Sequence, residues 1–405
     1  MKTIDLICTG CAKRYEISRL NPRCDDCGEP LEVPLFEQGA IKDKNPLNQT
    51  IFDRYADFLP FAPNALPISL GEGKTPLVSS SRLASELGIR DIYFKNETQN
   101  PTWSFKDRGT AAALSHAAAL GYRRIGTVST GNMAASTAAY GARAGLETVI
   151  LVSSDIPEEK LGPIAIHAPL LIRVSGDYGE LYYQSIAVGA RQSIYFMNSD
   201  ATFRVEGYKT ISFEICEQMK FNPPDYVVTP TSAGGNIRGI IKGFEEFKSC
   251  GFIDNLPIFV CAQAAGCAPI YEAFRSEKPQ VTRWPNPSTI AHAIENPAPP
   301  SGNQVLRKLR ETRGLVSAVS DNEIMKAQRR LAREGIFAQP AAAVPLAAVA
   351  GLRAENTLRE DSVVVCVVTG SGLKYGSALK HHPLAVRSCS IPDLEGCIEA
   401  GPPPR

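Results

Sequence analysis

Short apolar runs rich in Val and Ile alternate with longer Ala-rich or amphipathic segments over most of the chain. DIYFK (91–95) reads as a strand. DRGTAAALSHAAALG (107–121) after it reads as a helix capped by Gly121. RIGTVST (124–130), ETVILV (147–152), LLIRVSG (170–176), DYVVTPT (225–231), PIFVCAQ (257–263) and SVVVCVVTGSG (362–372) repeat the strand pattern. Helical patterns lie between them at 133–145, 158–168, 178–192 and 235–249, and a long helical region spans about 321–353. Continuous Val/Ile runs separated by helices predict parallel strands buried on both faces, hence a doubly wound α/β chain. No internal repeat is present.

Two stretches break the alternation. Residues 34–70 are rich in Pro and Asn and predict an arm laid over a larger body. The last residues, EGCIEAGPPPR, predict a disordered tail.

A length of 405 residues predicts two or three domains, and 44% hydrophobic content is enough for a sizeable core. A formal charge of +1 gives no footprint for nucleic acid or an anionic membrane. No apolar run approaches a membrane span, and MKTIDLICTGCAKRYE lacks a signal-peptide pattern, so a cytoplasmic protein is expected.

Eleven cysteines, mostly scattered through apolar segments, suit reduced thiols better than a disulfide framework. Cys8, Cys11, Cys24 and Cys27 differ. They form two Cys-x-x-Cys knuckles, and four thiolates so spaced predict a closed, structural tetrahedral zinc site in a zinc-ribbon-like unit over 1–33, with a metal-free remnant as the alternative.

Open α/β sheets take ligands at the carboxyl ends of their strands. Four such loops have unusual composition: NPTWSFKD (100–107), STGNMAAS (129–136), PTSAGGNI (230–237) and TGSGLKYG (369–376). PTSAGGNI enters a helix with two glycines, which let backbone N–H groups approach an anion, and the helix N-terminus adds positive potential. It is neither a Walker loop nor a dinucleotide fingerprint. A phosphate cup together with a separate reactive lysine, Lys106, is the requirement of pyridoxal phosphate: the amine forms a Schiff base and the cup holds the phosphate. Thr369, at the end of the last strand, could face the ring nitrogen with its hydroxyl.

With GEGKTPLV (71–78), FRVEGYKT (203–210), EGIFAQPA (334–341) and TGSGLK (369–374) added, the chain resembles the fold type II, tryptophan-synthase-β-like pyridoxal-phosphate enzymes, and among them threonine synthases. The resemblance implies two open parallel-sheet domains: a large cofactor-binding one over 34–112 plus 205–385 and a small substrate domain over 113–204, with 386–405 a disordered tail. It implies a homodimer acting on a small amino-acid substrate. Lys106 would be the Schiff-base lysine and proton shuttle. Asn132 would meet the cofactor's ring hydroxyl. Ser232, Ala233, Gly234, Gly235 and Asn236 would surround its phosphate, and Thr369 its ring nitrogen. Ser129, Thr130 and Gly131 would receive the substrate carboxylate, and Asn198, Ser199 and Arg204 its distal phosphate.

Several positions depart from the family. Trp103 stands where Gly is usual, Met133 where a hydroxyl-bearing Thr is usual, Ser371 where His or Asn is common, and Tyr375 where Asp is frequent. Trp103 and Met133 would reshape the substrate pocket. The first expectation is a threonine-synthase-like reaction, O-phosphohomoserine plus water to threonine plus phosphate. The alternatives are replacement on O-phosphoserine by sulfite, dehydration of threonine or serine, and a non-catalytic sensor on the same fold. His116, His167 and His292 read as structural or exposed.

Overall fold

The structure, a computed structural model, describes residues 4–42, 49–60, 68–382 and 388–399. Two parallel-sheet layers and a small N-terminal sheet organise these residues. The larger sheet has strand order Leu315–Val319, Ile258–Ala264, Tyr226–Pro230, Val363–Val368, Asp91–Asn96 and Leu77–Ser79. All its pairings are parallel except the last, where Leu77–Ser79 closes the edge antiparallel to Asp91–Asn96. The smaller sheet orders Leu170–Val174, Glu147–Ser153, Arg124–Val128 and Ile194–Phe196, all parallel. The central strands Val363–Val368 and Tyr226–Pro230 are buried at every position, as their unbroken apolar runs require.

The 321–353 region is two helices, Asp321–Arg333 and Pro340–Ala354. Gly335 turns the chain at φ 78°, and Pro340 restarts it at the first helical turn, where a missing N–H is harmless. The arm places Tyr55 and Phe58 against Phe213 with ring centroids 5.0 and 5.2 Å apart. Residues 43–48 and 61–67 of the arm lie outside the described residues. The expectation of a disordered tail needs correction over 388–399. Pro392 and the Ser390–Asp393 hydroxyl–carboxylate bond start a turn that leads into the helix Leu394–Glu399, which buries nothing. Residues 400–405 lie outside the described residues.

The N-terminal sheet is antiparallel, Arg14–Glu16 and Leu31–Glu32 flanking Asp5–Cys8. It docks on the body through buried Leu6, Leu31 and Val33, which share one core cluster with Phe203 and Ile241, and through polar contacts. His116 Nε2 lies 3.0 Å from Ile17 O, Thr202 Oγ1 donates to Leu31 O at 3.1 Å, and Arg307 pairs with Glu29 at 2.7 Å.

Candidate active site and metal cluster

Lys106 opens the helix Lys106–Ala119 immediately after the loop that follows strand Asp91–Asn96. That loop is fastened on both sides. Thr102 donates its N–H and hydroxyl to the Asp107 carboxylate, each at 2.6 Å, and its carbonyl accepts from Lys374 Nζ at 2.6 Å. Phe105 N–H donates to Thr369 O at 3.1 Å and Ser371 N–H to Trp103 O at 3.0 Å, so the first and last of the four loops form one backbone platform. Behind it, Arg108 is fully buried and binds Glu97 at 2.7 Å and Glu214 at 2.8 Å, while Lys95 reaches Glu214 at 2.6 Å. Two cations and two carboxylates compensate one another there, which fixes the helix carrying Lys106 in place.

The Lys106 side chain is half-buried. Its Nζ lies 4.6 Å from the Phe105 ring centroid and 5.9 Å from that of Tyr208. Burial, and then the nearby Arg204 charge, lower its pKa to about 7. Such an amine is substantially neutral near physiological pH and is a nucleophile toward an aldehyde.

The second loop brings Asn132 to the start of the helix Asn132–Ala144, where Nδ2 donates to Gln339 Oε1 at 3.1 Å. Gln339 N–H donates to Gly370 O at 3.0 Å. A Cβ on Gly370 would stand 3.0 Å from Gln339 Nε2 and 3.2 Å from Asn132 Nδ2, so the Asn132 amide, Gln339 and the Thr369 loop meet at one point. Gln339 lies in EGIFAQPA, a motif that gave the residue no role of its own. Ser129 is buried and its hydroxyl accepts from Gly131 N–H at 3.2 Å, shaping an open turn in which Gly131 is exposed. Thr130 is half-buried and Met133 buried beside them.

The third loop enters the helix Gly235–Ser249 through Gly234, whose φ of 97° is left-handed. No side chain caps this helix, which leaves its first N–H groups available. Asn236, 8% exposed, has both amide atoms buried without a protein partner, and Ser104 Oγ is buried unpartnered on the lysine loop. Ser232 is half-buried and Ala233 buried at the same turn, and Thr369 is buried at the end of its strand. Orphaned donors at an uncapped helix entrance, with a low-pKa amine on an adjoining loop, fit a phosphorylated aldehyde cofactor.

The distal residues are engaged within the protein. Asn198 Oδ1 accepts from Val128 N–H at 2.9 Å, and its Nδ2 donates to Ser185 Oγ at 3.0 Å. Arg204 is fully buried and donates to Met197 O, Thr110 Oγ1 and Thr137 Oγ1 at 2.8, 2.9 and 2.8 Å. Ser199 is half-buried. Trp103 is 49% exposed with φ 61°, so the departure from Gly holds an indole in a backbone region that disfavours side chains.

The sulfurs of Cys8, Cys11, Cys24 and Cys27 all lie within 4.8 Å of one another, a cluster that could hold a metal ion.

Comparison with known proteins settles the family. Residues 68–370 match the pyridoxal-phosphate dependent enzymes. A threonine synthase of Methanocaldococcus jannaschii is 39% identical over 91% of this chain and 92% of its own length. A threonine synthase of Methanosarcina acetivorans is 36% identical over the same shares of the two chains. This chain belongs to the pyridoxal-phosphate dependent enzymes, in their threonine synthase group. The fold agrees: an Escherichia coli diaminopropionate ammonia lyase superposes with a TM-score of 0.67 at 18% identity, covering 77% of this chain and 88% of that one. Fold type II membership and pyridoxal phosphate follow from the family. Among the described residues, no helix is long and apolar enough to cross a membrane.

Proposed function

We propose that the protein converts O-phosphohomoserine and water to threonine and phosphate. The observation that carries this reading is the Lys106 amine, held near neutrality at about pKa 7, on a platform shared with the Thr369 loop and beside the orphaned Asn236 amide. The threonine synthase relatives support the choice of substrate.

Lys106 would hold the cofactor through its amine, and that amine, once freed, would take the substrate's α-proton and return protons along the carbon chain. Ser232, Ala233, Gly234, Gly235 and Asn236 would hold the cofactor phosphate through backbone N–H groups and the Asn236 amide. Asn132 would face the ring hydroxyl and Thr369 the ring nitrogen. When bound, pyridoxal phosphate supplies an electron sink for the α-carbanion. The Ser129–Thr130–Gly131 turn receives the substrate carboxylate. Arg204 places positive charge beneath Lys106, where it lowers the amine's pKa and attracts the distal phosphate, with Asn198 and Ser199 shaping that end of the site.

Replacement on O-phosphoserine is the second reading, and the exposed, strained Trp103 favours it by adding bulk beside the lysine. Measured turnover of phosphohomoserine, phosphoserine and threonine separates the two readings from dehydration and from a sensor. A sensor would bind the cofactor and turn over none of the three.

The four cysteines hold one structural zinc in this reading. The protein is a cytoplasmic homodimer, and the exposed Leu170 and Ile172 on the edge strand of the smaller sheet suit an interface between copies.

A further inference from the structure

Arg23 immediately precedes Cys24 in the second knuckle, and its guanidinium bridges the ribbon and the body: Nη1 donates to Gly28 O at 3.4 Å while Nη2 reaches Asp200. It forms an ion pair with Asp200 in which the two side chains are 9% and 0% exposed. The Asp200 carboxylate also accepts from the Tyr182 hydroxyl and, at 3.3 Å, from the Ser301 hydroxyl.

Asp200 sits at the entrance of the cup helix. A Cβ on Gly235, the first residue of that helix, would stand 2.7 Å from Ser199 O and 3.5 Å from Asp200 Cα. The cup's own backbone is tied to the same cluster, because Ser301 N–H donates to Ala233 O at 3.0 Å and Ser301 Oγ accepts from Arg238 Nη1 at 2.9 Å. A fully buried carboxylate therefore flanks the turn that receives a phosphate. Two anions in a low-dielectric setting repel strongly unless a cation intervenes. Tyr182 and Ser301 supply only neutral donors. Arg238 is the other nearby cation, and its Nη2 lies 3.7 Å from Glu32.

We propose that Arg23 is a positioning residue for the cofactor phosphate: it neutralises Asp200 at the mouth of the cup, so that the N-terminal knuckle governs how tightly the cup holds an anion. This rests on the reading that residues 232–236 receive that phosphate. It assigns the ribbon a part in cofactor affinity as well as in stability.

The test uses the full chain stripped of cofactor and compares dissociation constants for pyridoxal phosphate and for pyridoxal, which lacks the phosphate. Arg23→Ala should weaken pyridoxal phosphate on the order of tenfold, within the usual range of coupling between sites, and leave pyridoxal unchanged. Adding Asp200→Asn to Arg23→Ala should return the affinity to near the wild-type value, because the charge that Arg23 balances is then gone. A double variant as weak as Arg23→Ala, or an Arg23→Ala protein that binds both ligands like wild type, overturns the proposal. Should Arg23→Ala fail to fold, Asp200→Asn alone decides. Binding of pyridoxal phosphate at least as tight as in wild type sustains the charge argument, and weaker binding overturns it. Equal wild-type affinities for the two ligands would instead remove the phosphate cup itself, an outcome visible without any variant.

Discussion

Lys106 concentrates the residue-scale argument. Burial disfavours its ammonium form and the Arg204 charge adds to that, so the pKa moves down, to about 7. The neutral amine is the reactive one. Loading of the cofactor-free protein with pyridoxal phosphate should therefore speed up as pH rises through about 7 and level off above it. Stopped-flow absorbance at the visible edge reads this directly. Lys106→Ala should show no such absorbance, and Arg204→Met should move the midpoint to higher pH. A wild-type midpoint near the ordinary lysine value of about 10.4 would contradict the account. Met133→Thr restores a hydroxyl that can hydrogen-bond an anionic oxygen. Charge assistance makes that worth about 1.5–3 kcal/mol, on the order of tenfold or more in the phosphohomoserine-to-phosphoserine preference. An unchanged ratio of kcat/KM for the two substrates would place the distal anion elsewhere. Lys106 and the glycine-rich turn stand out in the sequence as candidates because each is a local pattern: a motif, a strand before it, a helix after it. The orphaned Asn236 amide and the Asp200 pair were hidden, since each depends on residues far apart in the chain.

At the scale of elements, the site depends on how closely the Lys106 helix meets the helix Thr202–Tyr208. A Cβ on Gly207 would lie 2.1 Å from Arg108 O, and one on Gly109 would lie 2.4 Å from the Tyr208 ring. Neither backbone nor a fully buried ring yields easily. Gly207→Ala should destabilise the protein by about 1–3 kcal/mol or more, seen as a lower urea midpoint, and an unmoved midpoint would refute the close crossing. Gly207 stands in FRVEGYKT, quoted for the family resemblance, and Gly109 in the helical run DRGTAAALSHAAALG, and their packing role became visible only with the helices in contact. The break between Asp321–Arg333 and Pro340–Ala354 had local signals in Gly335 and Pro340, and a helical reading across 321–353 passed over them. The antiparallel edge strand Leu77–Ser79 is too short to show a period. For the ribbon, elemental analysis should find one zinc per chain. A chelator should lower the unfolding temperature while Lys106 still reacts with pyridoxal. Loss of that reaction on chelation would make the metal part of the chemistry.

Over the whole molecule, two parallel sheets set ligand loops at their strands' carboxyl ends, and the ribbon reaches the same region through Arg23. The layered α/β architecture was legible because buried parallel strands leave unbroken Val/Ile runs. The ribbon's docking was not, because the contacts that hold it, Leu31 and Val33 in the body's core and Arg307 with Glu29, join residues far apart in the chain. If the edge of the smaller sheet is an interface, sedimentation equilibrium should give twice the chain mass, and charged substitutions at Leu170 and Ile172 should return it to one chain. The central claim is the reaction. The most direct measurement is the product formed by wild type and by Lys106→Ala from O-phosphohomoserine, O-phosphoserine and threonine, each assayed for phosphate, amino acid and 2-oxo acid. The account predicts threonine and phosphate in equal amounts from phosphohomoserine, at the highest kcat/KM of the three, and nothing from Lys106→Ala. A higher kcat/KM on phosphoserine, or a 2-oxo acid from threonine as the main product, would contradict it.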